Sequence, residues 1–232
     1  MKLLNRAMNY FTLGERILWG TSVLLICASF LLFDRADYLT LAASLIGATS
    51  LIFSAKGNPA GQLLMVIFSI LYGIISYSFS YYGEMITYLG MTAPMAVFAL
   101  ISWLRNPYEG NRSEVRVNRL RLTEIVLMLL LTCAVTAAFW FILQYFGTAN
   151  LLPSTLSVTT SFAAVYLTFR RSPFFALAYA ANDVILIILW VLASLADASY
   201  VSVAVCFVMF LANDIYGFIS WRRMEKRQKS GK

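Results

Sequence analysis

The chain has 232 residues, 60% of them apolar and only 12% charged, with a mean hydropathy of +0.75 and a net charge of +7. That balance excludes an ordinary soluble domain and points to a membrane protein, and five Pro and twelve Gly are too few for a linker-rich chain, so it reads as one body. Histidine is absent, which excludes His-based acid–base catalysis, His metal ligands and Ser-His or Cys-His nucleophiles, while Cys27, Cys133 and Cys206 sit singly in apolar runs; no metal, cofactor or disulfide is expected.

A spanning helix needs about 20 mostly apolar residues, and eight such runs follow one another: 17–33, 38–55, 59–82, 85–104, 125–147, 151–169, 173–196 and 200–221. The first follows an amphipathic stretch from Lys2 to Leu13 and reads as a retained anchor that either spans or lies at the interface. If the runs alternate from a cytoplasmic N-terminus, seventeen of the eighteen basic residues, from Lys2 and Arg6 to the tail 222–232, fall on one face, and only Arg35 on the other. The positive-inside rule reads the basic face as cytoplasm, with both termini there. The basic tail is then a solvated segment beside anionic lipid headgroups, and nucleic acid is not an expected partner. Trp103 and Trp221, each next to Arg, read as interface anchors.

Two stretches repeat at a spacing of about 114 to 118 positions. Ser54 to Pro59 answers Thr168 to Pro173, an apolar helix end, a basic turn and then Pro opening a helix; Ile101-Ser102-Trp103-Leu104-Arg105 answers Ile219-Ser220-Trp221-Arg222-Arg223. Each unit holds three spans, an odd number, so the span 125–147 between them restores the same sense. The expected architecture is therefore all-α, with parallel repeats at 38–105 and 151–222, a cytoplasmic loop and linker helix at 106–150, an extra N-terminal segment at 1–34 and a basic tail at 223–232.

Several of these residues carry a resemblance that covers nearly all of the chain: Asn213-Asp214-Ile215-Tyr216-Gly217-Phe218-Ile219-Ser220-Trp221, Ile101-Ser102-Trp103-Leu104-Arg105-Asn106-Pro107 and Asn182-Asp183. The sequence resembles the PnuC family of bacterial vitamin transporters. The resemblance implies a seven-helix 3+1+3 core like that of SWEET sugar transporters, a homotrimer in the bacterial plasma (inner) membrane, and facilitated diffusion of nicotinamide riboside, with thiamine, riboflavin or deoxynucleosides in relatives. It also implies a cytoplasmic kinase that traps the product. Where some members carry an Asn-x-Tyr-Gly-type motif in the third helix of the first repeat, this chain has Ala96-Val97-Phe98-Ala99.

Only two ionisable residues lie well inside the spans, Asp183 and Asp214, each after an Asn. Intramembrane acids normally face a cavity or a partner. At 1.5 Å rise per residue, Asp183 lies about 15 Å from Pro173 and Asp214 about 12 Å from Arg222, both near the midplane. Either member of each pair, Asn182 or Asp183 and Asn213 or Asp214, can face a path, since helix neighbours point about 100° apart. Helical spacing adds Tyr179 and Trp190 beside Asp183, and Gln62, Ser69 and Ser76 with Tyr72 on the equivalent third span. Phe210, Asn213, Tyr216 and Ser220 form a third wall, opposite Met95, Phe98 and Ser102. Such a centre suits a ligand with a flat ring, hydroxyls and a positive charge, and the acids would face it with stacking aromatics. An aspartyl intramembrane protease would need Tyr-Asp and Gly-x-Gly-Asp motifs, and a retinal protein a lysine in the last span; neither is present. A non-transporting scaffold would leave parallel repeats meeting at a polar midplane without a purpose.

Overall fold

The computed structural model describes residues 10–78, 82–148 and 150–230. Lys2, Arg6, Lys232 and most of the amphipathic N-terminal stretch lie outside the described residues. Among the described residues, eight helices are long and apolar enough to cross a membrane. They are α1 (Leu13–Phe33), α2 (Tyr38–Ala55), α3 (Pro59–Ser78), α4 (Tyr82–Ile86 and Ala93–Leu104, joined by a π-helical stretch Thr87–Thr92), α5 (Leu122–Tyr145), α6 (Leu151–Phe169), α7 (Phe174–Ser194) and α8 (Val201–Ser230).

Local chemistry sets the ends. α1 starts at Leu13, four residues before its apolar run, because Thr12 and Glu15 form a reciprocal capping box. α2 ends in a turn through Gly57 and α6 in a turn through Arg171, both at positive φ, at repeat-equivalent positions. Gly takes that conformation freely and Arg does not. α8 does not stop at Trp221 but carries the basic tail as helix to Ser230. The loop before α5 holds a short antiparallel hairpin, β1 (Pro107–Tyr108) with β2 (Asn111–Val115), that hydropathy gave no sign of.

Six helices close a ring by packing in the order α2, α3, α4, α6, α7, α8 and back to α2. α1 lies outside it against α2 and α8, and α5 lies outside it against α6. α5 exposes Leu127, Leu130 and Phe141, a surface suited to lipid. Its polar ties run to α6: Thr136 and Thr159 share a hydrogen bond of 2.8 Å, and Glu124 pairs with Arg170.

One end of the ring is sealed by tryptophans. Trp103 and Trp221 are fully buried with ring centroids 5.3 Å apart, and Phe175 packs edge-on to Trp221 at 4.9 Å. The Trp103 indole donates to Thr168 O (2.9 Å) at the end of α6, and the Trp221 indole donates to Ser54 O (2.8 Å) at the end of α2. The expected interface anchors are instead the buried plug of the basic end. Their neighbours in sequence, Arg105 and Arg222, mark the boundary, but the rings turn inward because each indole N–H finds a helix-terminal carbonyl with a second lone pair to offer beside its turn bond.

Candidate functional site

The deep acids meet at the centre of the ring. Asp183 on α7 and Asp214 on α8 are both buried, and their carboxyls approach within hydrogen-bonding reach of each other. Asp183 Oδ2 is buried without a hydrogen-bond partner among the described residues. Tyr179, one turn from Asp183 on α7, feels both acids, and Tyr88 in the π-helical stretch of α4 feels Asp183 from across the ring. A buried carboxyl oxygen left unsatisfied is costly and marks a place where a ligand, water or ion is wanted.

The two Asn-Asp pairs are resolved in the same way. Asn182 turns to α6, where its Oδ1 accepts from Ser157 Oγ (3.1 Å) and Thr160 Oγ1 (2.9 Å). Asn213 turns outward to α1, its Nδ2 donating to Ser22 Oγ (2.9 Å) and to Met209 O (2.7 Å). In each pair the Asn holds a neighbouring helix and the Asp faces its counterpart.

The other candidates divide in two. Tyr72, Ser76 and Trp190 line a cavity of about 430 Å³ that opens at the end of the ring opposite the tryptophans. Asp34, Asp37 and Tyr200 stand at its rim, and the Trp190 indole donates to the Tyr72 hydroxyl. Gln62, Ser69 and Tyr216 are held elsewhere. Gln62 Nε2 donates to Ser54 Oγ (3.2 Å) between α2 and α3, Ser69 Oγ bonds back to Met65 O (2.8 Å), and Tyr216 Oη donates to Glu15 Oε1 (2.9 Å) on α1. Of the wall expected on α4, Phe98 is 55% exposed and faces outward, and Ser102 donates to Phe169 O (2.9 Å) at the sealed end.

Sequence spacing named Tyr72 and Phe210 singly but missed the aromatic floor they form, which meets the cavity at Tyr72. Phe68, Tyr72, Tyr88, Phe207 and Phe210 form a continuous aromatic cluster, closest at 4.4 Å between the Tyr72 and Tyr88 rings. Phe210 leans on α2 at Gly47, where any Cβ would strike its ring. The signal that pointed here was the glycine itself: a mid-helix Gly without a turn marks close approach. The π-helical stretch that places Tyr88 had no such signal, although π-helical turns recur at functional sites.

A closed helical ring with buried acids at its middle, a cavity open to one end and an aromatic plug at the other defines a polytopic membrane transporter. A family model described as nicotinamide mononucleotide transporter matches residues 37–223, and the chain belongs to that family. The match begins immediately before α2 and leaves α1 outside. The nicotinamide riboside transporter PnuC of Neisseria mucosa is 26% identical over 214 residues, 90% of this chain and 81% of that protein. The crystal structure of the vitamin B3 transporter PnuC has the same fold, with a TM-score of 0.81 over 94% of each chain at 23% identity.

Proposed function

We propose that this protein carries nicotinamide riboside across the bacterial inner membrane by facilitated diffusion, taking it at the Asp183–Asp214 pair. The observation that carries the reading is the pair itself, two carboxyls in contact at the ring centre, below a cavity rimmed by Asp34 and Asp37, with no lysine or arginine in the middle of any span. Such a field draws a cation and repels a phosphate. It favours the riboside, a flat pyridinium with a neutral ribose, over the mononucleotide of the family's description. Trp190 and Tyr72 offer the flat ring a stacking surface, and Tyr88 and Tyr179 offer hydroxyls beside the acids. Thiamine, with its charged thiazolium, is the second substrate that this chemistry admits.

The ring reads as two parallel three-helix repeats, α2–α4 and α6–α8, joined by α5 and preceded by α1. The crossed bonds of Trp103 to α6 and Trp221 to α2 support the pairing, since each ties the last helix of one repeat to the first of the other. With the basic end in the cytoplasm, as the distribution of Lys and Arg argues, both termini are cytoplasmic and the cavity faces outward. Alternating access then consists of parting the tryptophan plug while the aromatic floor closes the outer cavity. The family resemblance adds a homotrimer and a cytoplasmic kinase that phosphorylates the arriving riboside.

Purified protein in liposomes is expected to equilibrate labelled nicotinamide riboside without ATP or an ion gradient and to leave the mononucleotide outside. Failure to carry the riboside or thiamine sinks the substrate class. Riboside uptake that stays intact in Asp183→Asn and Asp214→Asn together sinks the site.

A further inference from the structure

Residues 106–121 form a strap across the sealed end that touches both repeats. Val115 N donates to Gly57 O (2.9 Å) and Asn118 N donates to Arg171 O (3.0 Å), so the strap grips the two equivalent left-handed turns. Val115 is fully buried against the tryptophan plug. The helical tail of α8 clamps the strap from the other side, because Gln228 Oε1 accepts from Val117 N (2.9 Å) and Gln228 Nε2 donates to Val115 O (3.1 Å). Between strap and tail lies a cavity of about 690 Å³.

Its walls are over-supplied with cations. Arg116, Arg119, Arg171 and Lys229 line it, against Glu109 and Glu225. Glu225 is already engaged by Arg119 (3.1 Å), Arg222 (2.6 Å) and Lys229 (2.6 Å). Glu109 accepts from its neighbour Tyr108 and keeps its charge, so the four cations still exceed the two carboxylates. Arg116 and Arg171 have no carboxylate within ion-pair distance among the described residues; Arg171 Nη1 bonds only the neutral Ser102, with Oγ at 3.0 Å, and its Nε is buried without a partner. Burial, with the like charges of Arg170 and Arg116, pulls the Arg171 guanidinium below its ordinary range. Two guanidinium groups at one cavity wall, one with an unspent buried donor, match the forked geometry that Arg offers a phosphate.

We infer that the cavity between strap and α8 tail binds a phosphate-bearing anion, gripped by Arg116 and Arg171 with Lys229 beside them. The site is separate from the transported ligand, since the tryptophan plug lies between the two. Bound there, the anion ties the strap and the Arg171 turn together and holds the basic end closed. Glu225, Gln228 and Lys229 stand about 6–12 Å past Trp221 along the helix, beyond the plane of the plug. A free phosphate and a lipid headgroup share the required chemistry, and the experiment separates them.

The full chain in detergent, without transport substrate, is titrated with inorganic phosphate against chloride at equal ionic strength, following thermal unfolding and phosphorus NMR line width. Phosphate is expected to raise the unfolding midpoint above the chloride control and to broaden. Arg116→Gln, an exposed side chain whose loss spares the fold, is expected to weaken half-saturation about ten-fold or more, as is Arg171→Gln, while Arg35→Gln at the opposite end leaves it unchanged. The same variants are then compared in nanodiscs of phosphatidylcholine and phosphatidylglycerol. A gain with phosphatidylglycerol that Arg116→Gln abolishes, with no response to free phosphate, supports the site and assigns its ligand to a lipid headgroup. Identical responses to phosphate and chloride together with no lipid effect, or responses that persist in Arg116→Gln and Arg171→Gln, overturn the inference.

Discussion

The two halves of the ring agree at the sealed end and part company at the centre. Trp103 and Trp221 make the same crossed bond, and the turns at Gly57 and Arg171 take the same left-handed conformation. At the midplane the equivalence fails. The repeat spacings that relate the two motifs place Ser69 opposite Asp183 and Ala96 opposite Asp214, and Ser69 spends its hydroxyl on its own helix. A gate opened by moving one half against the other needs matched contacts, whereas a ligand with one charge needs only one half to supply the acid. On the proposed transport cycle, symmetry is kept where the gate would move and lost where the substrate would bind.

The largest effect that would test this division is at the acids. Asp183→Asn and Asp214→Asn are each expected to cut liposome uptake of nicotinamide riboside by about ten-fold or more, on the order of the loss of one buried charge–ligand contact. Ser69→Ala at the equivalent position is expected to stay within about two-fold of the parent, because it removes only a bond to its own helix. Equal losses at Asp183 and Ser69, measured at matched protein abundance, would show a symmetric site and break the comparison.

The plug comes next. Trp103→Ala and Trp221→Ala each empty a fully buried indole site and remove one bond to a helix-terminal carbonyl, costing about 3–5 kcal/mol. The expectation is that thermal unfolding midpoints fall together, within a few degrees of each other. A large drop in one and none in the other would mean that the two halves do not share the gate. A smaller effect separates the halves at the aromatic floor. Gly47→Ala sets a methyl against the Phe210 ring and 3.1 Å from Phe68, an overpacking that costs about 1–3 kcal/mol, and Ser161→Ala at the matching position of α6 is expected to cost under about 1 kcal/mol. Unfolding of the two variants under one protocol decides it.

How much of this was legible in the sequence follows the range of each interaction. The eight apolar helices were readable because apolar length is a local property of the chain. The depth of Asp183 and Asp214 was readable because rise per residue is fixed. The direction of each Asn-Asp pair was not, since it depends on which neighbour offers a hydroxyl: Ser157 and Thr160 draw Asn182 to α6, and Ser22 draws Asn213 to α1. Spacing put Tyr216 on the path, yet Glu15 on α1 claims its hydroxyl, and no periodicity within α8 could foresee a partner 201 positions away. Trp103 and Trp221 followed the same rule: Arg neighbours suggested the interface, and distant carbonyls drew the rings inward.

The smallest prediction concerns α1, which lies outside the ring and the family match. Asn213→Ala removes the bond to Ser22 and leaves that hydroxyl with its intrahelical bond to Leu18 O, so the expected cost is about 1–2 kcal/mol. Riboside uptake, in contrast, is expected to stay within about three-fold of the parent once abundance is matched, because the side chain faces α1 and not Asp183. Glu15→Gln sharpens the point from the same helix: it loosens the contacts of Lys56 (3.1 Å) and Tyr216 (2.9 Å) with a buried carboxylate, and is expected to lower stability more than Asn213→Ala while also sparing substrate affinity. If Asn213→Ala instead raises the half-saturation for riboside without lowering the unfolding midpoint, Asn213 swings to the ligand during transport. The division between holding residues and facing residues then belongs to this one state of the ring.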